Sequence, residues 1–171
     1  MAPTDSNTVY VGGQTGSVWV NTSALSATSS TTWSSVKPGG AGSCHISGVA
    51  VDPANASNAW AVASTFGCTP HVWYTNNGGS TWTPMGGTGS NTVPDIPVET
   101  IAVNPTNPLK VYIGTDLGMM VTTDGGTNWM VANSTPFPNV IVDNIVAQNN
   151  SGTVTLFVFT HGRSAWSVTA N

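Results

Sequence analysis

An all-β fold of repeated antiparallel sheets is predicted from three features of this 171-residue chain. Ser26-Ala27-Thr28-Ser29-Ser30-Thr31-Thr32-Trp33, Thr75-Asn76-Asn77-Gly78-Gly79-Ser80-Thr81-Trp82 and Thr122-Thr123-Asp124-Gly125-Gly126-Thr127-Asn128-Trp129 are variants of one octapeptide, with closing tryptophans 49 and 47 residues apart. Apolar runs repeat in step with them: Val9-Tyr10-Val11-Gly12, Ala59-Trp60-Ala61-Val62, Val111-Tyr112-Ile113-Gly114 and Leu156-Phe157-Val158-Phe159. No window sustains an i, i+3, i+4 pattern, and Gly or Pro punctuates the chain throughout. The period fits a four-stranded propeller blade and is too long for leucine-rich or ankyrin units. The expectation is one domain, residues 1–171, forming a β-propeller segment of about three and a half four-stranded antiparallel blades.

Within each unit, runs rich in Val, Ile, Thr and aromatics read as strands A to D from the axis outward, separated by Gly, Pro, Asn and Asp turns. Blade one, about 8–36, supplies B (8–12), C (17–22) and D (32–36) without an A strand. Blades two and three, 46–85 and 98–132, are complete: A at 46–51 and 98–103, B at 58–64 and 110–114, C at 71–75 and 119–123, D at 81–85 and 128–132. Blade four, 141–169, offers A (141–147), B (154–159) and C (165–169), bringing the total to 14 strands. Alternating strand direction sorts the connections onto two rims. A–B turns and the octapeptides lie on one; B–C loops and D–A connections lie on the other, with Gln14, Lys37, His45, His71, Asp95, Asp116, Phe137, His161 and Arg163.

The octapeptides resemble the Asp-box (BNR) repeat of sialidase-like propellers, Ser/Thr-x-Asp-x-Gly-x-Thr-Trp. The third copy keeps the aspartate, the second has Asn77 in its place, and the first lacks both aspartate and glycine. The resemblance implies structural roles for Asn77, Gly79, Trp82, Asp124, Gly126 and Trp129: a short acceptor side chain binds backbone N–H groups, glycine supplies positive φ, and the tryptophan packs on the neighbouring blade. Thr160-His161-Gly162-Arg163-Ser164-Ala165-Trp166 is similar to a Thr-His-Gly-Arg-x-x-Trp signature that ends many such repeats. Over nearly the whole chain the resemblance is closer to the propellers of xyloglucanase-like glycoside hydrolases and of the sortilin-like and photosystem-assembly-factor groups. In the xyloglucanase-like enzymes two propellers share a cleft and each gives one catalytic aspartate, an arrangement that half a propeller does not reproduce alone.

Composition bounds the function. Charged residues make up 6% of the chain against about a quarter in an average protein, so its polar surface is Ser, Thr, Asn and Gly, a composition expected of an extracellular or periplasmic protein. With three Lys and Arg and a net charge of −4, the chain offers no patch that neutralises several phosphates, and nucleic acid is excluded. No apolar run reaches the roughly 18 residues of a membrane-spanning helix. Cys44 and Cys68 lie at one end of blade two in the predicted strand order; a disulfide is expected, with two free buried thiols as the alternative. A cluster of Cys44, His45, Cys68 and His71 matches no ordinary zinc spacing, and neither metal nor cofactor is expected.

Glycoside hydrolysis needs two carboxyl groups about 5–9.5 Å apart. Asp5 lies in the N-terminal tail, Asp52 and Asp124 sit in turns on the far rim, and Asp143 follows the start of an inner strand, leaving Asp95, Glu99 and Asp116. No local context marks these as a catalytic set, and a sialidase is excluded because its three substrate-binding arginines face a single Arg163 here. Gln14, Asp95, Asp116, Phe137, His161 and Arg163 are therefore ligand-binding candidates, with no catalytic residue assigned. The competing reading gives Arg163 a structural role, bonding neighbouring loop carbonyls and carboxylates. Trp19, Trp60, Trp73 and Trp166 read as inter-blade packing, while Phe66 and Phe137 are the best sugar-stacking platforms. Sequons at Asn21, Asn55, Asn133 and Asn149 mark surface loops only in a eukaryotic secreted protein. The reading is a non-enzymatic binding or assembly module for carbohydrate or protein, with a hydrolase fragment or structural subunit as alternatives. Completion of the propeller by a second copy, preferably as a dimer, or by a partner chain is expected, with a truncated propeller as the third alternative.

Overall fold

The computed structural model describes residues 1–132 and 137–170, so the sequon at Asn133 lies outside the described residues. Val, Ile, Tyr and Trp alternating with small residues form antiparallel strands, each paired with its sequence neighbour. β1 (Val9–Gly12), β2 (Val18–Asn21) and β3 (Ser34–Val36) form a three-stranded sheet. β4 (Ile46–Asp52), β5 (Asn55–Ala63), β6 (Val72–Thr75) and β7 (Thr83–Pro84) form the first four-stranded sheet. After a hairpin of β8 (Gly87–Thr88) and β9 (Asn91–Thr92), a second four-stranded sheet follows: β10 (Val98–Asn104), β11 (Asn107–Thr115), β12 (Gly118–Thr122) and β13 (Met130–Val131). The last sheet holds β14 (Val142–Asn150), β15 (Thr153–Thr160) and β16 (Ala165–Thr169). The expected all-β class, a run of up-and-down sheets forming part of a propeller, is the one observed.

The core lies between successive sheets, and the period of two explains it. Along β5, Ala59, Ala61 and Ala63 join Tyr10, Val18 and Val20 of the sheet before, while Trp60 and Val62 join Val111, Ile113 and Met120 of the sheet after. Tyr112 turns the other way, onto Ile145, Leu156 and Val158. Close approach needs small residues: a Cβ on Gly114 would stand 2.6 Å from side-chain atoms of both Thr100 and Val142.

Two of the octapeptides fold into the same turn. In one, Asn77 Oδ1 accepts from Thr75 Oγ1 and Thr81 N, and Thr75 Oγ1 accepts from Gly79 N. In the other, Asp124 Oδ1 accepts from Thr122 Oγ1 and Asn128 N, and Thr122 Oγ1 accepts from Gly126 N. Asparagine substitutes because only one side-chain oxygen is needed for these bonds. Asn128, in the place of threonine, adds a 2.7 Å bond to Asp124 Oδ2, and these contacts, the Asn128 side chain first, hold the Asp124 carboxyl below its ordinary range. The first octapeptide has neither glycine nor aspartate. A 3-10 turn at Ala24–Ser26 and a loop closed by Thr28 N donating to Thr31 Oγ1 replace the turn there.

Outer strands β7 and β13 are each two residues long, shorter than the sequence expectation. Trp82 and Trp129 leave the strand path to enter the core just before pairing begins, and Pro84 has no N–H to extend a ladder. The β8–β9 hairpin lies within a D–A connection and braces the third octapeptide through Trp129 N donating to Asn91 O. In the last sheet, Val168 stands opposite Leu156 as Thr122 stands opposite Val111. The position equivalent by pairing to the turn threonine is therefore Val168, and that of the aspartate is Ala170.

Candidate functional site

The innermost strands share a defect. Pairing is interrupted between Ile46 and Gly48 in β4, between Val98 and Thr100 in β10, and between Val142 and Asn144 in β14. One residue is extra each time: Ser47, Glu99 and Asp143. The cause is visible in the core, because Ile46 with Val49, Val98 with Ile101, and Val142 with Ile145 each face a single inter-sheet cluster although they are three residues apart. Strict alternation would put the two members on opposite faces, and a bulge restores both to one face. Ser47 uses its position structurally: its hydroxyl donates to Val98 O and so ties β4 to the next inner strand. Glu99 and Asp143 put carboxylates at the same level of adjacent sheets.

The ends of the second strands arrive at the same rim. Ser64 N donates to His45 O, Asp116 N to Pro97 O and His161 N to Ile141 O, which places Ser64, Asp116 and His161 in equivalent positions beside the bulges. His161 Nδ1 lies 3.6 Å from Asp143 Oδ2. Burial pushes the Glu99 carboxyl up, the charges of Asp116 and Asp143 add to this, and His45 opposes it. Gln14, on the β1–β2 loop, and Arg163, beside His161, are exposed; the Arg163 carbonyl accepts a 3.0 Å bond from Trp166 Nε1. The rim thus gathers Glu99, Asp116, Asp143, His45 and His161, a set rich in acceptors for hydroxyl hydrogens.

Because the folded-state pKa of Glu99 lies above its unfolded value, its ionisation costs stability as pH rises through the folded value. Below about pH 4 both states are protonated and the cost is absent. Glu99→Gln should therefore raise the denaturant midpoint at pH 7 and leave it unchanged below pH 4. Equal midpoints at pH 7 would show that Glu99 is fully hydrated.

Asp95 does not join this rim cluster. Its Oδ1 accepts from Gly67 N at 2.7 Å and lies 2.9 Å from Nε2 of the fully buried His71. The His71 hydrogen bond, then that of Gly67, holds the Asp95 carboxyl below its ordinary range. His71 Nδ1 lies 3.2 Å from Ala63 O. This constellation braces the loop between β5 and β6, which the disulfide from Cys68 to Cys44, just ahead of β4, also ties down.

The remaining candidates separate by exposure. Phe137 packs edge-on against Trp166, with ring centroids 5.7 Å apart, and is half-buried; as a stacking platform it is compromised by that contact. Phe66 is 65% exposed. Trp60 and Trp73 are buried between sheets, while Trp19 joins Val11 and Trp33 on the outward face of the first sheet. Of the other carboxylates, Asp5 accepts from Asn7 N and Thr8 Oγ1, and Asp52 from Ala54 N and Asn58 Nδ2, so both serve turns. Asp143 follows the start of an inner strand, where its sequence context does not mark it as a candidate; the bulge brings it to the rim. A signal was present, since Ile46-Ser47-Gly48-Val49, Val98-Glu99-Thr100-Ile101 and Val142-Asp143-Asn144-Ile145 each place two non-core residues between core residues, where alternation allows one.

No protein-family model matches the chain, and neither does any curated protein. Solved structures do match. A GH74 enzyme from Niastella koreensis superposes with a TM-score of 0.67 at 19% identity, over 94% of this chain and 25% of that one. The GH74 xyloglucanase from Xanthomonas campestris gives 0.62 at 15% identity, over 100% and 27%. YCF48 bound to D1 peptide gives 0.59 at 17% identity, over 94% and 48%. The chain spans about a quarter of each GH74 protein and about half of YCF48. At these identities the likeness concerns fold, and with the sheet order above it identifies the chain as part of a β-propeller.

Proposed function

We propose that this chain is an exported Asp-box (BNR) propeller segment that binds neutral carbohydrate, without turnover, at the rim bearing Glu99, Asp116, Asp143 and His161. The observation that carries the reading is the bulge repeated at one level of the inner strands, which aims Glu99 and Asp143 out of the ladder beside Asp116 and His161. A rim of carboxylates and imidazoles, in a chain of net charge −4, suits hydroxyl donors and repels anions. The paired turns at Asn77 and Asp124 support the Asp-box assignment, and the Cys44–Cys68 disulfide supports an oxidising compartment. Titration calorimetry with xyloglucan and cello-oligosaccharides should give saturable binding that Asp143→Asn weakens at least tenfold. Binding left intact in Asp143→Asn and Glu99→Gln would remove the site from this rim.

One observation favours a second reading, half of a glycoside hydrolase site: Glu99 is partly buried beside two further carboxylates, the setting that raises a general acid. Release of reducing ends from xyloglucan that vanishes in Glu99→Gln would establish it in place of the binding module.

The terminal sheets support assembly as part of this reading. Phe157, Phe159 and Val146 are exposed on the outward face of the last sheet, and Val11 on that of the first. Exposed apolar sheet faces promote association, so the reading includes a second copy covering them, with a dimer as the smallest species. Light scattering at micromolar concentration should report a dimer or larger; a stable 17.5 kDa monomer would overturn this part.

A further inference from the structure

We infer that Asn77 is a modification site, one that deamidates to aspartate when its turn opens and whose product the closed turn accepts. Asn77-Gly78 is the only Asn-Gly pair in the chain, and Asn77 is exposed in the turn between β6 and β7. In such a pair the glycine nitrogen can attack the asparagine side chain, and no Cβ crowds that nitrogen. A bond forms between Gly78 N and Asn77 Cγ, the bond from Cγ to Nδ2 breaks, and the amide group leaves as ammonia with the proton of Gly78 N. Water then opens the cyclic imide. Breaking the new bond at Cγ gives aspartate; breaking the bond at the Asn77 carbonyl carbon gives isoaspartate, with the main chain rerouted through the side chain.

The folded turn engages both reacting groups. Gly78 N donates to Ser57 O at 2.9 Å. Asn77 Oδ1 accepts from Thr75 Oγ1 and Thr81 N, and Nδ2 donates to Thr81 Oγ1 at 2.8 Å. The nucleophile is tied to β5 and the leaving group to Thr81, so the reaction waits on local opening. The product is read from the next sheet, where the same turn already holds an aspartate. Gly78 and Gly125 both have φ 69°, and Gly125 N donates to Leu109 O as Gly78 N donates to Ser57 O. Asp124 Oδ1 accepts from Thr122 Oγ1 and Asn128 N, the same two bonds that Asn77 Oδ1 receives. An aspartate at position 77 keeps both, and Thr81 Oγ1 donates to the second oxygen in place of accepting from Nδ2, since a hydroxyl serves either role. Bonds to a carboxylate are also stronger than those to a neutral amide. The conversion runs one way, because a carboxylate is a far poorer target for the glycine nitrogen than an amide. The turn favours that ionised form: its contacts, the Asn128 side chain first, hold the Asp124 carboxyl below its ordinary range. Isoaspartate adds an atom to the main chain inside the turn and shifts the register of these bonds. The inference does not depend on the carbohydrate rim.

The full chain, incubated at mildly alkaline pH with and without urea and mapped by peptide mass spectrometry, should deamidate at Asn77 at least tenfold faster in urea. Thr75→Val removes the hydroxyl that bonds Asn77 Oδ1 and Gly79 N, and should speed the reaction without urea while the wild-type circular dichroism spectrum is retained. Gly78→Ala, read in urea where folding plays no part, should slow it at least tenfold. Asn77→Asp should raise the urea midpoint at pH 7. Equal rates with and without urea, no conversion at Asn77 in urea, or an unchanged rate in folded Thr75→Val overturns the gated site. A midpoint for Asn77→Asp below that of the wild type overturns aspartate as the product that the turn accepts.

Discussion

Trp129→Ala is expected to lower stability by about 3–5 kcal/mol, the range for deleting a large buried aromatic side chain. Trp129 is 2% exposed in the core between the two four-stranded sheets, and its removal also strands Met85 O without its indole donor. Trp82→Ala should cost less within the same range, because Trp82 is 8% exposed and its Nε1 has no hydrogen-bond partner among the described residues to lose. Trp33→Ala should cost the least: its octapeptide does not form the turn, and the side chain is only half-buried beside Val11 and Trp19. Urea melts of the three variants test the order. Trp129→Phe refines it, since a ring that keeps most of the apolar contact but abandons Met85 O should lose about 1–3 kcal/mol. Equal losses at all three tryptophans would mean that turn formation does not govern how deeply the indole is seated.

The fold class was legible because it is carried by periodic features. Octapeptide spacing fixes the blade length, and strict alternation in runs such as Ala59-Trp60-Ala61-Val62 sends successive side chains to successive cores. The turn chemistry was legible as well, since Asn77 and Asp124 need only one acceptor oxygen in the same place. What resisted reading were departures from period. The bulges at Ser47, Glu99 and Asp143 look locally like ordinary polar residues, and only the comparison of all three inner strands exposes the extra residue. That Val168 stands where Thr122 stands in the preceding sheet is fixed by pairing with β15, a relation that repeat spacing does not encode. Asp95 was grouped with the rim because loop position was the only coordinate available; its partner His71 is drawn inward at φ 63°, a conformation uncommon for a residue with a side chain.

The second large effect is expected from Cys44→Ser with Cys68→Ser, which should lose about 3 kcal/mol because the unfolded chain regains the entropy of a closed loop. The sequence separation is 24, and both cysteines are buried at the entrance to β4 and beyond the end of β5. The loop they anchor has a second tie from the next sheet's approach: His71 N donates to Cys68 O, Gly67 N donates to Asp95 Oδ1, and His71 Nε2 meets the same carboxylate. Two ties on one loop share its ordering cost, so they should couple. With the disulfide intact, Asp95→Asn acts on a loop already fixed; without it, Asp95 is what keeps residues 64–71 against the sheet, and the same substitution should cost more. The acid side gives an independent reading. The Asp95 carboxyl is held below its ordinary range, so its contribution is full above about pH 4 and disappears as pH falls through the folded-state value. Denaturant melts of the double serine variant should therefore show a steep loss of stability below pH 4 that is blunted once Asp95→Asn is added. Strict additivity of the cysteine and aspartate substitutions at pH 7, with unchanged acid dependence, would separate the two ties and leave the disulfide acting through the unfolded chain alone.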